Sequence, residues 1–312
     1  PLVSEVEDYF ERPWIDHVPN WMGRSLHPVE NMPDYGRDMS SQISVASVML
    51  HTNIENSQKE TLLIRFVQFG IDSFGVIEDG GRENWLCAGG HTSGRKWPIL
   101  FAGLMLNDTD MKNIGQQSGD YAYSGSYGPG NMPSDYIHFG EDDQTFYVTE
   151  SDAYSVPLEL NSSRGFEWYG HGDITKLVDF VDYTSSHIGM PEWGIVYITD
   201  PSRSGLDWSA PYRECCTANS WAGFVLAAHV MNAKELWNHD ALFDYQDRYM
   251  KISQTEGWRQ ISSFVEDMWD AYRADYGPVW SGDYDRIAPN KPLNLICSKE
   301  SDSSLRITWD SP

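Results

Sequence analysis

The stretch TANSWAGFVLAA, Thr217 to Ala228, reads as the inner helix of a helical protein. Thr217 can cap it by accepting a backbone N–H. Ala222, Gly223, Ala227 and Ala228 then give it a surface of small residues, which lets a neighbouring helix approach closely. Working outward, the same helical signals recur. Ser57-Gln-Lys-Glu60 is a capping box, followed by Leu63, Phe66, Val67, Ile71 and Phe74 at helical spacing until Gly80-Gly81. Pro98 suits the first turn of a helix running through Ile99 to Leu106. Asp240 to Met250 reads as helix, and Ser263-Phe-Val-Glu266 is a second capping box opening a helix to about Tyr276. Gln144 to Thr149 reads as a short strand.

Long segments rich in Gly, Pro, Tyr and Trp separate these elements: Asn20 to Pro33, Gly115 to Gly140, and Asp200 to Arg213. Loops of that length usually serve as lids or binding walls. The expected fold is therefore mainly α over residues 1–286, an α/α barrel or toroid, complete or incomplete, with long aromatic loops at one end.

The tail changes period. Ala288-Pro-Asn-Lys-Pro292 reads as a linker; Leu293, Leu295 and Cys297 then alternate, as do Leu305, Ile307 and Trp309, around the turn-rich Lys299 to Ser304. Residues 287–312 are thus expected to be a linker and a short β tail. The string PNKPLNLICSKESDSSLRITWDSP resembles the first two strands of a fibronectin type III domain, with Trp309 at that family's second-strand tryptophan. Two strands cannot close a sandwich, so the resemblance implies that further C-terminal modules follow.

The 312 residues include 13 Trp and 17 Tyr and carry a net charge of −24. Flat rings suit sugar faces, although core packing claims most aromatics in any chain. The negative field repels phosphate backbones and argues against nucleic acid as a partner. No apolar run reaches membrane-spanning length. Cys87, Cys215, Cys216 and Cys297 lack metal-finger spacing and permit a disulfide in an oxidising compartment. For Cys215 and Cys216 the readings, in order, are buried packing, half of a disulfide, and a metal site. The opening at Pro1 fits a removed leader or a larger parent chain, and a secreted protein is expected.

Chemistry-bearing residues gather beside helix starts. Asn31, Asp34, Tyr35, Arg37 and Asp38 fall in NMPDYGRDM; His91, Arg95, Lys96 and Trp97 fall in GGHTSGRKW; Tyr212, Arg213 and Glu214 precede the inner helix. Taken together they resemble the helical-toroid polysaccharide lyases. In such enzymes Asn, His or Arg neutralises a uronate carboxylate while Tyr or His takes the adjacent ring proton. The resemblance implies Tyr35, His91, Tyr212 and Arg213 as catalytic and Asn31, Arg37, Arg95, Lys96 and Trp97 as substrate-binding. The physical need is plain: a carbon acid beside a carboxylate ionises only if the developing enolate meets positive charge or hydrogen bonds. The expected activity is β-elimination on a uronic-acid-containing polysaccharide. An inverting glycoside hydrolase would instead pair Asp34 or Asp38 with Glu141, Asp142 or Glu214, across roughly 6.5–9.5 Å. A non-catalytic glycan binder would need only the aromatic loops. No cofactor is expected. Asn107 to Asp110 offers oxygens for a structural calcium, but lacks the length of an EF-hand loop and reads first as an exposed turn. The run Glu141 to Asp143 likewise reads as a solvated turn.

Overall fold

Val3–Asp8 (α1) is a short helix whose Val6 is buried; Phe10, just beyond it, meets Phe66 edge-on at 5.2 Å. It opens a fold that is mostly helical. The computed structural model describes residues 1–11, 36–85, 90–118, 136–148, 150, 185–193, 216–253 and 262–282, with the backbone of 194–195, 198–199, 293–301 and 304–310. Asn31, Asp34, Tyr35, Cys87, Tyr212, Arg213, Glu214 and Cys215, and the loops 20–33 and 200–213, lie outside the described residues.

Gly36–Leu50 (α2) buries Met39, Ile43 and Ala46 along with three serines, Ser40, Ser44 and Ser47. The hydroxyls of two are satisfied: Ser47 donates to the Ile43 carbonyl one turn back at 2.6 Å, and Ser44 to the distant Ser220 carbonyl at 2.6 Å. Asn56–Glu78 (α3) presents Leu62, Phe66, Phe69 and Ile77 to the core. It begins slightly earlier than the capping box at Ser57 implies, and Glu55 at its N-cap makes no side-chain cap bond. The apolar stripe along this helix therefore decides its position, and the cap motif does not. Lys96–Leu106 (α4) carries Pro98 in its first turn, where a missing N–H costs nothing, and ends at Asn107 in the left-handed region. Thr109–Lys112 (α5) follows at once, capped by the Asp108 carboxylate on the Met111 N–H.

Gly140–Asp143 (α6) leads into Thr145–Tyr147 (β1), the strand expected within residues 144–149. Antiparallel pairing continues to Pro191–Ile195 (β2) and Ile198–Thr199 (β3), with Thr145 opposite Trp193 and Phe146 opposite Glu192. Ala222–Val230 (α7) is the small-residue helix, wholly buried as far as His229. Thr217 does not cap it directly; a 3-10 turn, Ala218–Ser220, intervenes, and the Thr217 hydroxyl makes no cap bond. The expected close approach does occur: a Cβ built on Gly223 would lie 2.4 Å from the Ser44 carbonyl oxygen of α2.

Lys234–Trp237 (α8), Asp240–Ile252 (α9) and Ser263–Tyr272 (α10) complete the helices among the described residues. At the second capping box the N-cap is Ser262, and α10 stops at Tyr272 before a 3-10 turn, Arg273–Asp275. The core is strongly aromatic. Trp237 stacks on Trp97 at 6.4 Å and on Phe224 at 5.9 Å, and Trp85, Trp193 and Trp221 are equally buried. Each fully buried ring of this kind contributes roughly 1.5–3 kcal/mol. Core packing therefore accounts for these tryptophans.

Arg273 ties the chain beyond α10 to the body. Its guanidinium donates to both Asp247 oxygens at 2.7 Å and to the Pro278 carbonyl at 3.0 Å, while the Trp280 N–H reaches Asp247 at 2.9 Å. In the tail, Leu293–Ser301 (β4) and Ser304–Asp310 (β5) form an antiparallel hairpin with Cys297 opposite Ile307. Among the described residues, no helix is long and apolar enough to cross a membrane.

Candidate functional site

The loop Gly90–Arg95, ahead of α4, is held between the start of α2 and α6. A Cβ on Gly36 would lie 2.0 Å from the His91 carbonyl oxygen and 2.6 Å from that of Gly90, so only glycine lets the first turn of α2 abut this loop. On the other side the Gly94 N–H donates to Glu141 Oε2 at 2.9 Å. Two of the three segments expected to converge therefore meet, through Gly36 and His91. The third, Tyr212 to Glu214, lies outside the described residues, although its successor Cys216 to Ser220 runs beside α2 through the Ser44–Ser220 bond.

His91 is partly exposed. Arg37 keeps about a third of its side chain in solvent and engages Asp38, with Nη2 at 2.7 Å and Nε at 2.8 Å. The other three residues read as substrate contacts are placed differently. Arg95, Lys96 and Trp97 are all interior. Arg95 donates to the Ser93 carbonyl, and Lys96 donates to the Trp237 carbonyl at 2.6 Å and pairs with Asp142. The Lys96 ammonium also stands 5.3 Å from the Trp237 ring and 5.7 Å from Phe139. These residues hold the loop from below and do not line its surface, because α4 has already begun at Lys96 and turns them inward.

The acidic run is the largest correction. Glu141, Asp142 and Asp143 are buried, not solvated. Each oxygen-rich group has a distant reason to be there. Asp142 takes Lys96 and the Trp237 indole N–H at 2.7 Å. Asp143 Oδ2 meets His138 Nδ1 at 2.9 Å. Glu141 accepts from Gly94, while its second oxygen is buried without a hydrogen-bond partner. Burial, reinforced by the charge of Asp142, pushes the Glu141 carboxyl up to about 7. The nearby hydroxyls of Ser40 and Ser93 are also buried and unpartnered.

His138 is a candidate that reading the sequence missed. Burial alone would lower its pKa, but the charge and hydrogen bond of Asp143 prevail and raise it. Its side chain is 10% exposed, and Nε2 makes no hydrogen bond among the described residues. An imidazole oriented at Nδ1 by a buried carboxylate is the usual arrangement of a proton-transfer histidine. The signal was the spacing His138 to Asp143, disguised by a run of acids.

Elsewhere the polar pairs are structural. Buried Arg248 donates to the Pro191 carbonyl at 2.8 Å and to Glu192 at 3.2 Å, fixing α9 on β2. His239 Nε2 lies 2.9 Å from the Thr145 hydroxyl. Cys216 is disulfide-bonded, the second of the readings offered for it. Among the described residues no group of three or more His, Cys, Asp or Glu could hold a metal ion, and Asp108 acts as a helix cap. No protein-family model matches the chain, and neither a curated protein nor a solved structure matches it significantly.

Proposed function

We propose that the chain is a secreted, carbohydrate-active enzyme with an α/α barrel or toroid body over residues 1–286, a linker, and the first strands of a fibronectin type III-like module. Its reaction is β-elimination on a uronic-acid-containing polysaccharide. The observation that supports this reading is the backbone junction of Gly36 with Gly90 and His91, next to Arg37; Arg37 and His91 are both part-exposed, on a strongly acidic chain. There they would neutralise the uronate carboxylate and stabilise the enolate that forms when the ring proton leaves. His138, kept protonated more readily by Asp143, is suited to protonate the departing glycosidic oxygen. Tyr35 or Tyr212 would take the ring proton. The disulfide at Cys216 supports an oxidising, extracellular setting.

The two-carboxylate hydrolase draws support from Glu141, whose pKa of about 7 is what a general acid requires. Against it, Glu141 is fully buried beneath the Gly94 turn, and Asp142 and Asp143 are committed to Lys96 and His138. A non-catalytic glycan binder would use the aromatic loops, and the buried Trp85, Trp97, Trp193, Trp221 and Trp237 would take no part in it. The test is a panel of uronate polymers assayed in parallel for ultraviolet absorbance of unsaturated products and for new reducing ends. Elimination gives both signals, and hydrolysis gives reducing ends alone. Silence in both across the panel overturns the enzymatic reading.

A further inference from the structure

We infer that a second carbohydrate site lies at the far end of α2, and that it takes a neutral sugar. This rests on the glycan-active reading above, yet uses none of the residues placed in the reaction. Helix α2 has 15 residues, so its end lies ~20 Å from the Gly36 junction. A cavity of about 250 Å³ opens there, with Leu226 and Met268 in its apolar lining and His51, Asn53, Tyr272 and Tyr276 among the rest. His51 also lines a cavity of about 590 Å³ between the end of α2, α3 and α4, so the two cavities share this residue.

Three observations point to a sugar. First, the two tyrosines are the aromatic wall: Tyr272 is 45% and Tyr276 37% exposed, whereas most other aromatics among the described residues are packed inside. Neither hydroxyl makes a hydrogen bond among the described residues. Second, they are held in place. Arg273, between them, is anchored on Asp247 and grips the Tyr276 and Gly277 carbonyls at 3.3 and 3.4 Å, so little ordering entropy remains to be lost on binding. Third, His51 Nε2 is buried without a hydrogen-bond partner, and His51 is a lining residue of both cavities. Burial and the Lys59 charge keep this imidazole neutral, hence able to donate or accept. An apolar floor with ring walls and unpartnered neutral polar atoms matches a pyranose, which has apolar faces and a hydroxyl rim.

Charge selects a neutral sugar over a uronate. Lys59, the ammonium at the groove, is already spent on the Leu50 and Thr52 carbonyls at 2.8 and 2.7 Å, where it closes the C-terminus of α2. Among the described residues lining the two cavities there is no other Lys or Arg to balance a carboxylate, on a chain of net charge −24.

Affinity electrophoresis of the full chain tests this, in gels containing xylan, galactomannan, mixed-linkage β-glucan or, for comparison, alginate. At least one neutral polymer should retard the protein, and the double variant Tyr272→Ala/Tyr276→Ala should lose at least tenfold in that affinity with an unchanged melting temperature. His51→Ala should weaken binding in the same gel. No retardation by the three neutral polymers, or retardation that survives the double substitution, overturns the site. Failure here with intact uronate cleavage removes only this inference. Tyrosine-dependent binding without any uronate cleavage removes the lyase reading and leaves the groove standing.

Discussion

Glu141 is a carboxyl that the fold withdraws from water beside a second carboxyl. Raised from its usual 4.5 to about 7, it disfavours the fold at alkaline pH by on the order of 3 kcal/mol. The sign follows from the protons. Between those two values the unfolded chain has already released the proton that the fold retains, so this group's contribution to stability falls as pH rises. Glu141→Gln keeps an acceptor for the Gly94 N–H and carries no charge. Its melting temperature relative to the natural chain should therefore climb between about pH 5 and about pH 8; a constant difference would mean that Glu141 is already ionised across that range. None of this is legible along the chain. A Glu-Asp-Asp run reads as a solvated turn, and its burial depends on Lys96, 46 residues from Asp142, and on Trp237, 95 residues away. His91 and Arg37, by contrast, could be singled out because glycines and a helix start flank them.

Helix positions were the most legible level, because apolar spacing decides them. α3, α4, α7, α9 and α10 all overlap the stretches expected to be helical, although α7 starts only at Ala222 and α10 ends at Tyr272, short of Tyr276. The cap motifs carried less: Thr217 makes no side-chain cap bond, and α3 starts ahead of Ser57 without one. Burial against a neighbour outweighs a single cap bond, worth about 1 kcal/mol. The packing of α7 on α2 gives a discriminating test. In an unconstrained helix, Gly→Ala is worth roughly 1 kcal/mol of stabilisation. At Gly223 the added methyl would meet the Ser44 carbonyl at 2.4 Å, a backbone atom that cannot rotate away. Gly223→Ala should therefore lose about 1–3 kcal/mol in denaturant unfolding. A gain would show that the two helices can part at little cost.

For the molecule as a whole, the change of period near residue 287 announced the hairpin of β4 and β5, while the means of closing the helical body at Arg273 were hidden. The arginine is two residues before Asp275 in an ordinary polar stretch, and its partner Asp247 lies on another helix. Arg273→Ala would leave Asp247 buried and unpaired, at a cost of about 3–5 kcal/mol, and should loosen the segment carrying Tyr276 to Trp280. The double variant Arg273→Met/Asp247→Leu should lose less than the single one, since no charge is then stranded. Equal losses would assign the effect to packing. The central claim, that the Gly36–His91 junction performs elimination on a uronate glycan, is tested most directly by turnover of His91→Ala, followed through the absorbance of unsaturated product. The account predicts a fall of about 10²–10³ with the melting temperature unchanged. Full turnover in the folded variant, or a natural chain that releases reducing ends with no unsaturated product, would contradict it.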